Sequence, residues 1–459
     1  MNLPHWLQRT APRYSRRLQT PLGQRLLRGA FWSVAGVVLS RGLTLLASLL
    51  VARVLGVTRF GELGIIQATT GLFQTFAGFA LGVTATKYVA ENRRRDPERT
   101  GRVIGLGVSV SILTGLCAMA LFYVCAPWLA SHALADGRLG PLLRISSVIL
   151  VLSAVNGAQT GALSGFESFR AIAIVNLASG LLSFPVLLAG VLLHGLRGCV
   201  WALAIMAALN CILTQIALRS EMKRADVPLR MRSARNELNI LFKFTLPALF
   251  GGVVVLPVTW LCNVLLVKRG GGYAEMGLLN AANLWFTAVV FLPGMIGQVL
   301  LPIFSERIAG NSRDSTARLM RASIEVNVMV SVPLVLVAGV ASPLIMRLYG
   351  PGYERGWRTL VAVLCTAGLI AVQTPVSQVI AASGKMWLGL MMNLGWAIVC
   401  LGATMVTVRW GAFGVSAARL LAYGAHTAWT LAFAVHFIRT SRPVPFAGHS
   451  LPLISAANF

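Results

Sequence analysis

Residues 40–74 read SRGLTLLASLLVARVLGVTRFGELGIIQATTGLFQ. An apolar run carrying Arg41 breaks at a short loop holding Gly56 and Gly61, then resumes as a second apolar run. The loop and the second run come back later in the chain. Phe60-Gly-Glu-Leu-Gly-Ile-Ile-Gln-Ala aligns without gaps to Tyr273-Ala-Glu-Met-Gly-Leu-Leu-Asn-Ala, an offset of about 213 residues. Glu62 falls on Glu275, Gln67 on Asn280, Thr70 on Asn283 and Gln74 on Thr287. Further on, Gln159-Thr-Gly-Ala-Leu-Ser-Gly resembles Gln378-Val-Ile-Ala-Ala-Ser-Gly. Two similar halves follow, running in the same direction if each has an even number of spans, and internal repeats of this kind mark transporters.

A mean hydropathy of +0.74, 56% hydrophobic and 12% charged residues exclude an ordinary soluble domain. A spanning helix needs about 20 predominantly apolar residues. About twelve such stretches occur, near 30–52, 63–86, 103–126, 141–163, 171–193, 199–218, 241–267, 277–303, 322–346, 359–382, 386–408 and 412–437; they are called spans one to twelve below. Prolines inside several of them are tolerated in packed membrane helices. The expected fold is all-α and polytopic, with two similar six-helix lobes. The chain then divides into a basic arm (1–28), a first lobe (29–218), a cytoplasmic linker (219–240), a second lobe (241–437) and a tail (438–459). No connection is long enough for an enzyme domain.

A net charge of +26 invites a nucleic-acid reading, but its distribution argues against one. About two thirds of the 40 Lys and Arg fall in alternate connections: the arm, 87–102, Arg170, 219–243, 307–321, Lys385 and the tail. The positive-inside rule makes those connections and both termini cytoplasmic. Topology thus accounts for the basicity, and no nucleic-acid partner is expected. The seven cysteines lie in or beside spans without a CxxC pair, so neither a disulfide framework nor a metal site is supported. The first 28 residues lack the apolar core of a signal peptide.

The 14 acidic residues all avoid the middle of a span. Ion-coupled carriers commonly place carboxylates there, so coupling by carboxylate is disfavoured. No GxxxxGK[ST] loop or HExxH helix is present, and no cofactor is expected. Cations and amides are what remain inside. Arg41 sits near the middle of span one, where an arginine costs about 2.5–3.5 kcal/mol on insertion scales. Arg419 shares a helical stripe in span twelve with Ser416, Tyr423, His426 and Thr430. Span two offers Gln67, Thr70 and Gln74; span eight offers Asn280, Asn283, Thr287 and Gln298. Hydrocarbon penalises these groups, so they should face the bundle interior and line one cationic, hydrogen-bonding cavity between the lobes. Gln67 and Asn280 should face each other across it. The competing reading is that amides and hydroxyls join helices to one another as interhelical glue.

SRxLxxxxxxLVARVLGxxxFGELG (40–64), the short connections, the six-plus-six repeat and the AxSG ends of spans four and ten resemble one branch of membrane transporters. This is the polysaccharide-transport branch of the multidrug/oligosaccharidyl-lipid/polysaccharide (MOP) superfamily, and within it the Wzx-type O-antigen and exopolysaccharide flippases. The resemblance covers nearly the whole chain; its sharp words are Ser-Arg and Ala-Arg-x-x-Gly. It implies a bacterial inner-membrane flippase that carries an undecaprenyl-diphosphate-linked oligosaccharide through a two-lobed cavity by alternating access. Membrane lipids and polysaccharide polymerase or chain-length proteins are the implied partners. Lipid II flippases share both words but carry an Arg-Asp pair where this chain has Ala47 and Ser48. Multidrug exporters of the superfamily, the alternative reading as cation-coupled carriers of small amphiphiles, typically hold a membrane carboxylate in the first lobe, and this sequence shows none there.

The orientation is testable in a background lacking the native cysteines. Single cysteines at Gly137 and Gly271 should react with an impermeant thiol reagent added outside the cell. Cysteines at Arg94 and Arg230 should stay unlabelled until the membrane is opened. The reverse pattern in either half breaks the parallel-repeat topology.

Overall fold

Hydrocarbon offers backbone N–H and C=O groups no water, so a chain this apolar must satisfy them within its own helices. The computed structural model describes residues 21–78, 81–228, 254–269, 271–309 and 313–440. Every regular element among them is helical. Eight stretches are long and apolar enough to cross a membrane. Three are too long to cross once: Leu39–Asn92, Phe169–Arg224 and Trp387–Phe437 hold 54, 56 and 51 residues. Each would measure about 80 Å at 1.5 Å per residue, against about 30 Å of hydrocarbon. Each therefore folds back on itself. The reversals lie at Gly56 (φ 74°), at His194–Gly195 (φ −137° and 57°) and at the 3-10 turn Val408–Trp410 followed by Gly411 (φ 64°). With span seven, described as Val255–Arg269, the expected twelve-span plan is met among the described residues. The chain is a polytopic all-α membrane protein.

The turns repeat along with the spans. Short 3-10 turns, Gly137–Leu139 and Glu354–Gly356, lead into spans four and ten. Left-handed glycines, Gly195 and Gly411, lead into spans six and twelve. All of these, with Gly56, lie at one end of the bundle, called distal here; the opposite end is proximal. Helix boundaries differ from expectation at two places. The first helix begins at Pro21, inside the arm read as 1–28, and the helix of span six runs on to Arg224, taking in the first residues of the linker read as 219–240. Pro21 sits at the first turn, where proline is tolerated, no other proline lies between it and span one, and 219–224 holds neither proline nor glycine, so nothing stops either helix. Residues 229–253 and 441–459, holding most of the linker and of the tail, lie outside the described residues.

At the proximal end, spans four and ten close in the same pattern. Ser168 N–H donates to the Leu163 carbonyl, as Lys385 N–H does to that of Ile380. This closure needs a left-handed residue, and glycine supplies it without strain. Gly384 (φ 69°) does so after span ten, but Glu167 (φ 61°) occupies the place after span four. Left-handed backbone costs a side-chain-bearing residue about 1–2 kcal/mol. The Glu167 carboxylate meets Arg93 Nη2 at 2.7 Å, which ties together the turns after spans two and four. That bond holds the Glu167 carboxyl below its usual range. Glu167 is 62% exposed but Arg93 only 16%, so the pair is partly shielded and pins the left-handed turn against the turn after span two.

The two halves meet distally along spans two and eight. A Cβ on Gly61 would fall on the Tyr273 carbonyl oxygen, and one on Gly277 would fall on the Val57 carbonyl oxygen. Only glycine permits backbones this close. Asn280 lies against Gly64 and donates, at 3.5 Å, to the Phe60 carbonyl. Tyr353 spans the same seam, its hydroxyl donating to Ala52 O at 3.1 Å and its ring 6.3 Å from that of Phe60. Tyr273 reaches Leu134 O at 2.7 Å. The repeated segments found in the sequence are thus the surfaces that touch.

A disulfide tests this seam. A Cβ on Gly64 would stand 3.0 Å from that of Asn280, near the ~3.5–4.5 Å that a disulfide requires. The pair Gly64→Cys/Asn280→Cys should therefore cross-link under mild oxidation. With a protease site inserted in the linker, the two halves should then migrate together on a non-reducing gel and separate on reduction. Halves that separate without reductant contradict the packing.

Candidate functional site

The Ser-Arg word of span one divides into two jobs. Ser40 is buried and its hydroxyl donates to Asn176 O of span five at 2.8 Å, fixing span one within its own lobe. A residue later the helix has turned about 100°, so Arg41 points elsewhere. Its guanidinium lies 5.3 Å from the centre of the Phe291 ring on span eight, across the boundary between the halves. Arg419 of span twelve reaches span eight as well. Its Nη1 donates to Asn283 Oδ1 at 3.2 Å, and its guanidinium lies 4.4 Å from the centre of the Phe286 ring. Cation–π contacts of this kind contribute about 0.5–2 kcal/mol each. Neither arginine has a carboxylate partner among the described residues, and Arg419 Nε is buried without a hydrogen-bond partner.

Span eight thus receives both cations. Asn283 and Phe291 are separated by about 12 Å along the helix, with the Asn280 seam distal to both. Proximal to the seam the halves part: Gln67, Thr287 and Arg41 are exposed, and a Cβ on Gly71 or Gly294 would meet nothing within 4 Å. Across the boundary, Trp260 Nε1 donates to Thr69 Oγ1 at 3.0 Å.

The remaining residues singled out in the sequence separate into groups. Gln67 is exposed, whereas Asn280 is packed in the seam, so they do not face each other across open space. Thr70 is buried in the first lobe on Ser146 of span four at 3.0 Å, and Gln74 donates to Ser153 of the same span at 3.1 Å. Both join helices rather than line the boundary. Thr287 is exposed and donates back to Asn283 O. The side chain of Gln298 lies outside the described residues. His426 belongs to the interior of the second lobe: Nδ1 meets Gln373 Oε1, and Thr430 Oγ1 stands 3.3 Å away. It opens onto a small cavity of about 150 Å³ shared with Ser377, Asn393 and Thr430.

Phe286 and Phe291 are site residues that sequence reasoning missed. Phe286 follows Asn283 by three positions and so shares its face, which is the signal that could have found it. Among the described residues no group of His, Cys, Asp and Glu could hold a metal ion. A direct check on the boundary uses single cysteines: one at Gln67 should react rapidly with a small soluble thiol reagent, and those at Ile65, Thr70 and Asn280 should react at least about ten-fold more slowly, as burial costing ~1.4 kcal/mol or more to open requires.

Comparison with known proteins agrees with this architecture. The family described as "Polysaccharide biosynthesis protein" matches residues 26–307. The EPS I polysaccharide export inner membrane protein EpsE of Ralstonia nicotianae is 26% identical over 416 residues, covering 88% of this chain and 91% of that protein. The protein of the same description from Ralstonia solanacearum is 24% identical over 424 residues, covering 89% and 92%. Among solved structures, a multidrug resistance MATE transporter of the MOP superfamily in an inward-facing conformation superposes with a TM-score of 0.72 at 15% identity, covering 88% of this chain and 96% of that one. The lipid II flippase MurJ, inward closed, gives a TM-score of 0.67 at 14% identity, covering 90% of each chain. The chain thus shares its fold with both of these transporters. With more than half its length matched, the chain belongs to the polysaccharide biosynthesis protein family.

Proposed function

We propose that the protein is a flippase that moves an undecaprenyl-diphosphate-linked oligosaccharide, an O-antigen or exopolysaccharide repeat unit, outward across the inner membrane by alternating access. The observation that carries this reading is the pair of guanidiniums set on span eight between the halves, neither neutralised by a carboxylate among the described residues. A lipid diphosphate is strongly anionic and must leave water to cross. Guanidinium offers phosphate oxygens a rigid, permanently charged fork, with donors already turned to the boundary. The buried, unpaired Nε of Arg419 is one such donor.

In this reading the distal end is periplasmic, and the glycine seam is the closed outer gate. The headgroup enters from the proximal side, meets Arg41 first and passes toward Arg419 as the seam opens. Exposed Gln67 and Thr287 hydrogen-bond sugar hydroxyls. An inside-negative potential favours outward passage of an anion by about 2.3 kcal/mol per charge per 100 mV. The EpsE relatives, named for polysaccharide export, support the substrate class. The alternative, a cation-coupled exporter of small amphiphiles, draws on one observation, the His426 cavity inside the second lobe.

The test is surface polysaccharide in a flippase-null cell complemented with each variant at matched protein levels. Charge-assisted hydrogen bonds contribute about 1.5–3 kcal/mol, so Arg41→Ala should reduce export about ten-fold or more. Arg41→Lys should restore part of it, since charge returns but the fork does not. Arg419→Ala should weaken export less. Wild-type export from Arg41→Ala sinks the diphosphate-binding role.

A further inference from the structure

The first lobe has a second concavity, remote from the boundary between the halves. At the proximal end, spans five and six part to form a groove of about 630 Å³. Its walls are apolar and include Ile174, Ala178, Leu213 and Ile216. Ile174 is 57% and Ile216 61% exposed, so these walls face out of the bundle, where hydrocarbon is their natural neighbour. The rim differs from the walls. Ser168, Arg170, Ser220 and Arg224 stand at the mouth, together with Glu167 and Glu221. Through Glu167 the mouth continues into a polar hollow of about 530 Å³ lined by Glu91 and Arg93, Arg94 and Arg95.

Charge at this rim does not cancel. Arg224 meets Glu221 at 2.9 Å, and Arg93 meets Glu167 at 2.7 Å. Arg94, Arg95 and Arg170 have no ion-pair partner among the described residues, and Glu91, also without one, offsets only one of the three, so the rim stays net positive. The helix of span five starts here, at Phe169, and its cap residue Ser168 makes no side-chain capping bond. The first-turn N–H groups of Arg170 and Ala171 thus lack helical partners and add positive potential at the mouth. The repeat-related helix start of the second lobe also lacks a side-chain cap, but its cation is engaged: Lys385 is folded over the Phe433 ring, 5.5 Å from its centre. The left-handed turn at Glu167 holds Arg93 across this rim.

We propose that this groove is a binding site for an anionic glycerophospholipid, with the phosphate at Arg170 and the open first turn of span five, and an acyl chain along Ile174, Ala178, Leu213 and Ile216. The uncancelled cations select an anionic headgroup over a zwitterionic one, whose ammonium would be repelled. The apolar walls select a lipid over free phosphate. The site does not depend on what the protein transports, and its failure would leave the proposed flippase function standing.

Native mass spectrometry of the full-length protein, purified in detergent, reads the site directly. The probes are phosphatidylglycerol and phosphatidylcholine with the same acyl chains, offered at equal concentration. Each basic residue near a membrane surface contributes about a five-fold preference for anionic lipid, so the wild-type protein should retain phosphatidylglycerol about five-fold or more over phosphatidylcholine. Arg170→Gln should remove about five-fold of that preference. Ala178→Trp, which fills the groove, should lower retention of both lipids, while Arg358→Gln, an exposed residue at the distal end, should change neither. Excess inorganic phosphate should not displace the lipid. Equal retention of the two lipids by the wild-type protein overturns the site. So do an unchanged ratio in Arg170→Gln, an equal loss in Arg358→Gln, or displacement by phosphate.

Discussion

Backbone against backbone, without side chains between, is the contact on which this structure depends. At Gly61 and Gly277 the two halves approach so closely that a single methyl group on either would strike a carbonyl oxygen. Inside a membrane, helices gain little by hiding apolar surface from one another, because lipid is equally apolar; close van der Waals approach through small residues is what remains. Such a contact is tight only when complete and is lost when the helices separate slightly. It suits a surface that must be either shut or open. Around it stand the weaker bonds of Tyr273, Tyr353 and Asn280, each reaching from one half to a backbone carbonyl of the other.

The seam explains why the repeat is strongest in sequence where it is. Phe60–Ala68 and Tyr273–Ala281 match because each has the other as its packing surface, so both are held to the same small-residue pattern. Elsewhere the halves have diverged, and their polar interiors show it. In the first lobe Gln159 donates to Gln215, whereas in the second Gln373 is surrounded by Thr427 and His426. The boundary cations have diverged as well: one comes from span one, the other from span twelve, and both are received by aromatic rings of span eight.

Much of the fold was legible in the sequence because hydrocarbon imposes one rule on every span. The runs read as 141–163, 359–382 and 412–437 fall inside the helices Gly140–Gly165, Trp357–Ala382 and Gly411–Thr440. The site was less legible. A polar stripe shows which face of a helix avoids lipid, but not which neighbour it meets. Thr70 and Gln74 share a stripe with Gln67, yet span four supplies Ser146 and Ser153 beside two of them and nothing beside the third. Phe286 and Phe291 passed as apolar filler, since a ring that receives a guanidinium looks the same in sequence as one that packs on leucine.

The distal reversals at Gly56, His194–Gly195 and Val408–Gly411 occupy one to four residues each, and the helices on either side run right up to them. At these three hairpins, whatever lies beyond that end of the membrane meets almost no free chain; the longer distal connections before spans four and ten are wound largely into short helices. A protease finds few extended segments to thread, an antibody finds little besides helix ends, and an inserted epitope would have to break a helical hairpin to be displayed. At those hairpins the protein presents to that compartment little more than the ends of paired helices.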